Sequence, residues 1–115
     1  MFDFEKLDVY ALAKQTHLET IRFLKSRPVI DTATRNQLRR ASLSIVLNIA
    51  EGSGKFSHAD KRNYYTCSRG STYECVAIFD VLRAEDLVSE IEYKDKYARY
   101  ESLSKMLFGL IQSQK

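Results

Sequence analysis

Apolar positions recur every three or four residues along most of this chain, with polar positions between them, and the pattern is punctuated in three places. The first periodic segment runs from about Asp8 to Ser26, with Val9, Leu12, Ala13, His17 (or Thr16), Thr20, Phe23 and Leu24 at helical spacing. Arg27-Pro28 stops it, because the residue before a proline is pushed out of the α region. The second segment starts at Asp31 or Thr32, either of which can cap a helix, and runs to about Gly52. Leu38, Ser42, Ile45, Ile49 and Gly52 form one stripe on it, and Leu43, Leu47 and Ala50 form a second. Ala41, Ser44 and Asn48 make a strip of small residues between the two. A helix of a lone domain normally buries one face. Two apolar stripes make this helix either the central one or the one used in self-association.

Gly52-Ser53-Gly54 ends the second helix, and Ser57-His58-Ala59-Asp60 opens the third with the pattern of a capping box. The third segment runs from about His58 to Ala84, with a stripe of Tyr64, Cys67, Ser71, Cys75, Ile78, Phe79 and Leu82. Its middle, Cys67 to Thr72, gathers small residues around Gly70, a residue that weakens a helix by about 1 kcal/mol. Close approach of a neighbouring backbone is the expected compensation. The fourth segment runs from about Ile91 to Gln114, with Tyr93, Tyr97 and Tyr100 followed by Leu103, Leu107, Leu110 and Ile111 at helical intervals. Segments of this length span roughly 30–37 Å each. Four matched helices joined by short loops predict an all-α, antiparallel up-down-up-down four-helix bundle, a single domain over residues 1–115.

Composition agrees with that reading and removes several function classes. At 115 residues and 44% hydrophobic, the chain is long enough for one self-sufficient core. No stretch approaches the roughly 20 apolar residues of a membrane helix. Met1 to Lys6 carries two acids and no apolar run, so a secretory signal is not expected. The cytoplasm is then the default location, with Cys67 and Cys75 as free thiols that serve as small core residues. His17 and His58 lack partners at metal-ligand spacing, no Glu-x-x-His pair occurs, and no phosphate-binding glycine loop is present. No catalytic constellation and no cofactor is expected.

The formal charge of +3 acquires meaning only when it is mapped. Residues 22–69 hold ten Lys or Arg against three acids, whereas the segments on either side are each net −2. In an antiparallel bundle, Lys25, Arg27, Arg35, Arg39 and Arg40 belong to one end, and Lys55, Lys61 and Arg62 to the other, with Arg69 about two turns further on. The result is two terminal clusters or one stripe along the second and third helices. Such residues neutralise phosphates, and Tyr64 and Tyr65 beside Arg62 are placed to stack on unpaired bases. An ordinary solvated face laced with pairs such as Glu51–Lys55 is the alternative. Ser44, Asn48 and Glu51 share one helical face, opposite Arg69 and Glu74 on the third helix. A buried Glu51 would need a cation, and Arg69 or Lys55 is expected to supply it as a structural lock.

Phe4-Glu5-Lys6-Leu7-Asp8-Val9-Tyr10, Gln37-Leu38-Arg39-Arg40-Ala41, Ser44-Ile45, Asn48-Ile49-Ala50-Glu51-Gly52 and Arg69-Gly70-Ser71 with Glu74 follow one another in order over nearly the whole chain. Together they resemble the signature of the bacterial four-helix bundle proteins formerly labelled ribosomal protein S-twenty-three, often encoded in intervening sequences of ribosomal RNA genes. The chain departs from that pattern at Val46-Leu47, where the family usually has a Pro. A related branch, the accessory variability determinant of diversity-generating retroelements, is a basic pentamer that binds nucleic acid and a reverse transcriptase. The resemblance implies a non-catalytic homo-oligomer, a pentamer, with RNA or DNA as ligand and Arg35, Arg39, Arg40, Lys55, Lys61 and Arg62 as the contacts. It implies an architectural part for Asn48, Glu51, Gly52, Arg69 and Gly70. A reverse transcriptase or another protein is the implied partner if the bundle acts as an adaptor.

Overall fold

The structure, a computed structural model, describes residues 1–115 and contains four α-helices preceded by a short 3-10 turn, Asp3–Lys6. The helices are α1 (Asp8–Lys25), α2 (Thr32–Ser53), α3 (His58–Ala84) and α4 (Glu90–Gln112), with no strand. Their boundaries follow from local chemistry. Asp31 is the cap of α2, its carboxylate accepting from the Thr34 amide at 2.7 Å. Ser57 accepts from the Asp60 amide at 3.0 Å, but Asp60 makes no return bond, so only half of the expected capping box forms. The complete box is at α4, where Ser89 and Glu92 satisfy each other's amides. Between α3 and α4, Asp86 takes the left-handed conformation (φ 61°) that ends a helix in a Schellman turn. Its amide reaches Arg83 and the Leu87 amide reaches Leu82, at 3.0 and 2.9 Å.

Consecutive helices pack side by side, α1 also packs on α4, and the diagonal pairs meet only through core side chains such as Phe23 and Phe79, giving a square up-down-up-down bundle of 44 × 21 × 20 Å. The core joins Phe23 and Leu24 of α1, Leu38, Ile45 and Ile49 of α2, Phe79 and Leu82 of α3, and Leu103 and Leu107 of α4. Ile30 and Val88, from the two loops at one end, close it. The α2–α3 seam is the most extensive and the α1–α4 seam the least.

Small hydroxyl residues make the α2–α3 seam close. Ser68 donates to the Ile45 carbonyl at 2.8 Å, and Ser71 and Ser44 are hydrogen-bonded at 3.0 Å. The buried stripe of α3 is therefore Tyr65, Ser68, Thr72, Cys75, Phe79 and Leu82. The expected stripe is one residue out of register in its first half: Cys67 is exposed, and Ser68 and Thr72 occupy the core. Their hydroxyls satisfy neighbouring carbonyls, which removes the usual cost of burying them. Gly70 is not the site of close approach, because a β-carbon there would meet open space. Gly52 is: a β-carbon on it would lie 2.7 Å from the Tyr65 ring. No glycine has a positive φ, so Gly52 is small for packing and not for backbone conformation.

Candidate nucleic-acid interface

Six basic side chains were expected to face a polyanion, and the structure divides them. Arg35 is half-buried and donates to the carbonyls of Leu24 and Arg27 at 2.7 and 2.6 Å. It closes the C-terminal end of α1, where four carbonyls lack helical partners and a cation is favoured. Lys61 does the same for α2, donating to the Ser53 carbonyl at 2.8 Å, and Arg62 donates to the Gln114 carbonyl. Lys55 lies over the Tyr64 ring, 4.9 Å from its centre. Tyr65 is buried beneath Gly52 and Tyr64 lies half-buried under Lys55, so Tyr65 presents no face to a base. Arg35, Lys61 and Arg62 are thus bundle fasteners. The reason lies in the loops, which turn these side chains back onto helix ends.

Arg39 and Arg40 differ. Both are exposed and make no hydrogen bond, ion pair or ring contact. On the adjoining α1, Arg22 and Lys25 are equally exposed and unpartnered, and Lys14 rests over Tyr10 at 5.6 Å. Residues 14–50 carry seven Lys or Arg and only two acids, Glu19 and Asp31. Glu19 turns towards α4, where it pairs with Arg99 at 3.5 Å, and Asp31 caps α2. The Asp31 carboxyl is held below its ordinary range by those Thr34 hydrogen bonds. Between residues 14 and 50 the outer side of α1 and α2 therefore has free cations and no free carboxylate. Arg22 and Lys25 both fall within the basic middle segment of the sequence. The signal that identifies them is that residues 14–50 hold only two acids, Glu19 and Asp31, and both are engaged elsewhere.

Along the outer side of α2 these arginines are followed by Leu43 and Leu47, which are 42% and 50% exposed. The second apolar stripe of α2 is thus uncovered within the monomer, while the first is fully inside. His17 bridges this face and the core, sharing a 2.8 Å hydrogen bond with Ser42. Burial, and then the neighbouring Arg39 charge, lower its pKa, so the ring is neutral at pH 7. Beneath it the four helices meet at a polar point. Tyr100 of α4, fully buried, shares a 2.7 Å hydrogen bond with Thr20 of α1 and lies beside Ser42 of α2 and Cys75 of α3. Burial raises the Tyr100 hydroxyl well above its usual value and pushes the Cys75 thiol up to about 12. Both stay neutral. Cys75 is a packing residue with its proton in place, and it is not a nucleophile.

The signature residues also sort differently from expectation. Asn48 donates to the Ser44 carbonyl and hydroxyl, each at 2.9 Å, and so extends the Ser44–Ser71 contact between α2 and α3. Glu74 accepts from Gln37 at 2.8 Å, a second tie across that seam. The expected lock between Glu51 and Arg69 or Lys55 does not form: Glu51 is exposed and makes no ion pair. Arg69 lies on the α4 side of α3, donating to the Ser104 carbonyl at 3.3 Å and stacking over Tyr73 and Phe108. A carboxylate in water needs no buried partner, so nothing drives the pairing. No group of three or more His, Cys, Asp or Glu side chains converges to hold a metal, and no helix is long and apolar enough to cross a membrane.

The chain matches the 23S rRNA-intervening sequence protein family over residues 5–109. In three dimensions it is similar to a crystal structure of a protein of unknown function from the S23 ribosomal protein family of Bacteroides thetaiotaomicron VPI-5482. That likeness covers 90% of this chain and 97% of the other at 19% identity, with a TM-score of 0.82, and it bears on the fold alone. Among curated proteins none matches. With nearly the whole length matched, and with the Asn48–Ser44–Ser71 contact and the Gly52 cradle built from the signature residues, the chain belongs to the 23S rRNA-intervening sequence protein family.

Proposed function

We propose that this protein is a non-catalytic, self-associating bundle that binds RNA or DNA through the outer α1–α2 face. The observation that carries the reading is the set of unpartnered cations Arg22, Lys25, Arg39 and Arg40 in a stretch, residues 14–50, whose two carboxylates are engaged elsewhere. Side chains tied to carbonyls are poorly placed to follow a phosphate backbone; free guanidinium and ammonium groups on rigid helices are well placed to do so. Four phosphate contacts predict that log affinity falls against log salt with a slope of about −3 to −4. Arg39→Glu with Arg40→Glu is expected to weaken binding of a fluorescent oligonucleotide and to flatten that slope by about 2, without altering the melting temperature. Absence of binding to both single-stranded RNA and duplex DNA at low salt would refute the reading.

Self-association is part of the same proposal. Phe56, on the loop between α2 and α3, is a large apolar side chain left wholly uncovered by the monomer. A pentamer is the form the family resemblance favours. Light scattering that returns a monomer at every concentration would remove this part and leave the polyanion reading standing.

A further inference from the structure

The α2–α3 loop presents a feature with no partner in the chain. Phe56 is wholly exposed, at 103% of its reference area. It does not dangle. The Lys55 amide bonds to the Gly52 carbonyl at 3.1 Å, Lys61 holds the Ser53 carbonyl, and Ser57 caps α3 immediately after it. The loop is therefore fastened on both sides of the ring, which removes much of the ordering cost that a floppy aromatic would incur on docking. Lys55, pinned over Tyr64, sets a positive charge next to the ring.

The molecule also carries a groove that suits such a knob. It lies between α3 and α4, encloses about 460 Å³, and is lined by Thr72, Tyr73, Val76, Ala77, Tyr97 and Glu101 among others. Tyr73 and Tyr97 are 58% and 45% exposed, so their rings stand as walls above a floor of small side chains. Arg69, at its edge, is already stacked over Tyr73 and Phe108. Glu101 has one ion pair, with Lys105, and it is long at 3.9 Å. An aromatic ring flanked by a lysine meets here an aromatic-walled slot whose Glu101 carboxylate lies beside Lys105 and has no short ion pair.

We propose that Phe56 of one copy seats in the α3–α4 groove of the next, with Lys55 facing Glu101. The inference rests on the self-association reading and assigns its interface. The occupant has to come from another copy, because Thr72 lies about 20 Å along α3 from the loop and the knob cannot fold back to its own groove. Knob and groove are different surfaces, so the contact is head-to-tail. Such contacts close into rings when the rotation allows and otherwise extend as chains. The face it uses, α3–α4, is opposite the basic α1–α2 face, which stays open on the assembly. A buried aromatic anchor of this kind dominates the energetics of an interface, with the surrounding contacts excluding water.

Two variants and their mixture test it by sedimentation velocity on the full chain, with circular dichroism confirming that each is folded. Phe56→Ser removes the knob, and Ala77→Trp, at an exposed position on the groove floor, fills the slot. Each is expected to weaken association by at least about 30-fold and to run as a monomer where the parent protein is oligomeric. The mixture contains one intact knob and one intact groove, so it is expected to form a 1:1 dimer and stop there. A parent oligomer that both variants leave intact overturns this interface while sparing self-association. Monomeric variants whose mixture stays monomeric overturn the head-to-tail arrangement. A parent protein that is monomeric throughout overturns self-association itself.

Discussion

Replacing Gly52 by Ala adds one methyl group at the tightest point of the α2–α3 seam. The new β-carbon would lie 2.7 and 2.9 Å from two ring carbons of the buried Tyr65 and 3.0 Å from the Tyr64 β-carbon. Ordinary carbon contacts sit at about 3.5–4.0 Å, so a ring held in the core has to move by close to an ångström. Overpacking of this kind costs about 1–3 kcal/mol. Alanine's better helix propensity offsets at most about 1 kcal/mol, and less in the last turn of α2. The net expectation is a loss of about 1–2 kcal/mol. For a chain of this length unfolding entropy near the melting point makes 1 kcal/mol equivalent to about 4 °C, so Tm should fall by about 4–8 °C. Gly70→Ala is the internal control, since its β-carbon meets nothing within 4 Å. There only propensity acts, and Tm should rise by about 2–4 °C. Thermal melts followed by circular dichroism, with urea titrations for the free energies, measure both. A Gly52→Ala protein at least as stable as the parent would refute the steric account and leave that glycine without a packing role.

Two further outcomes follow from the same geometry. Arg35→Met keeps the length of the side chain but leaves the Leu24 and Arg27 carbonyls without their donor; urea unfolding should show a loss of about 2–3 kcal/mol, with no such loss in Arg39→Met. The His17 ring is harder to protonate in the folded protein than a free imidazole, whose pKa is about 6.5, so the unfolded state binds the proton first and stability falls as pH drops below that value. Tm measured from pH 8 to pH 5 should therefore decline more steeply for the parent than for His17→Gln, and parallel curves would contradict the assignment.

Most of the helical framework was legible along the chain because caps and periodicity are local. Asp31, Ser57, Pro28 and the Gly52-Ser53-Gly54 break act within a turn of themselves, and α1, α2 and α3 begin and end within a residue or two of where the pattern puts them. The inner stripe of α2, from Leu38 to Gly52, is buried as read. The first half of α3 was not legible, since Ser68 and Thr72 are polar by composition and become core residues only when carbonyls of α2 and of their own helix accept their hydroxyls. The meeting of Thr20, Ser42, Cys75 and Tyr100 was equally hidden: each lies on an inner stripe, but which four converge depends on how the helices are staggered.

The same division runs through the candidate interface. Sequence alone determined that the middle of the chain is basic, that it folds as four matched helices, and that α2 carries more apolar surface than one face can bury. It did not distinguish Arg35 from Arg39, one turn apart on the same helix with the same charge and reach. Only the tertiary structure decided between them, because the α1–α2 loop brings the open carbonyls of Leu24 and Arg27 within 2.7 Å of one guanidinium and leaves the other in water. Charge is a property of the residue, but its availability depends on which unsatisfied backbone groups the fold places beside it.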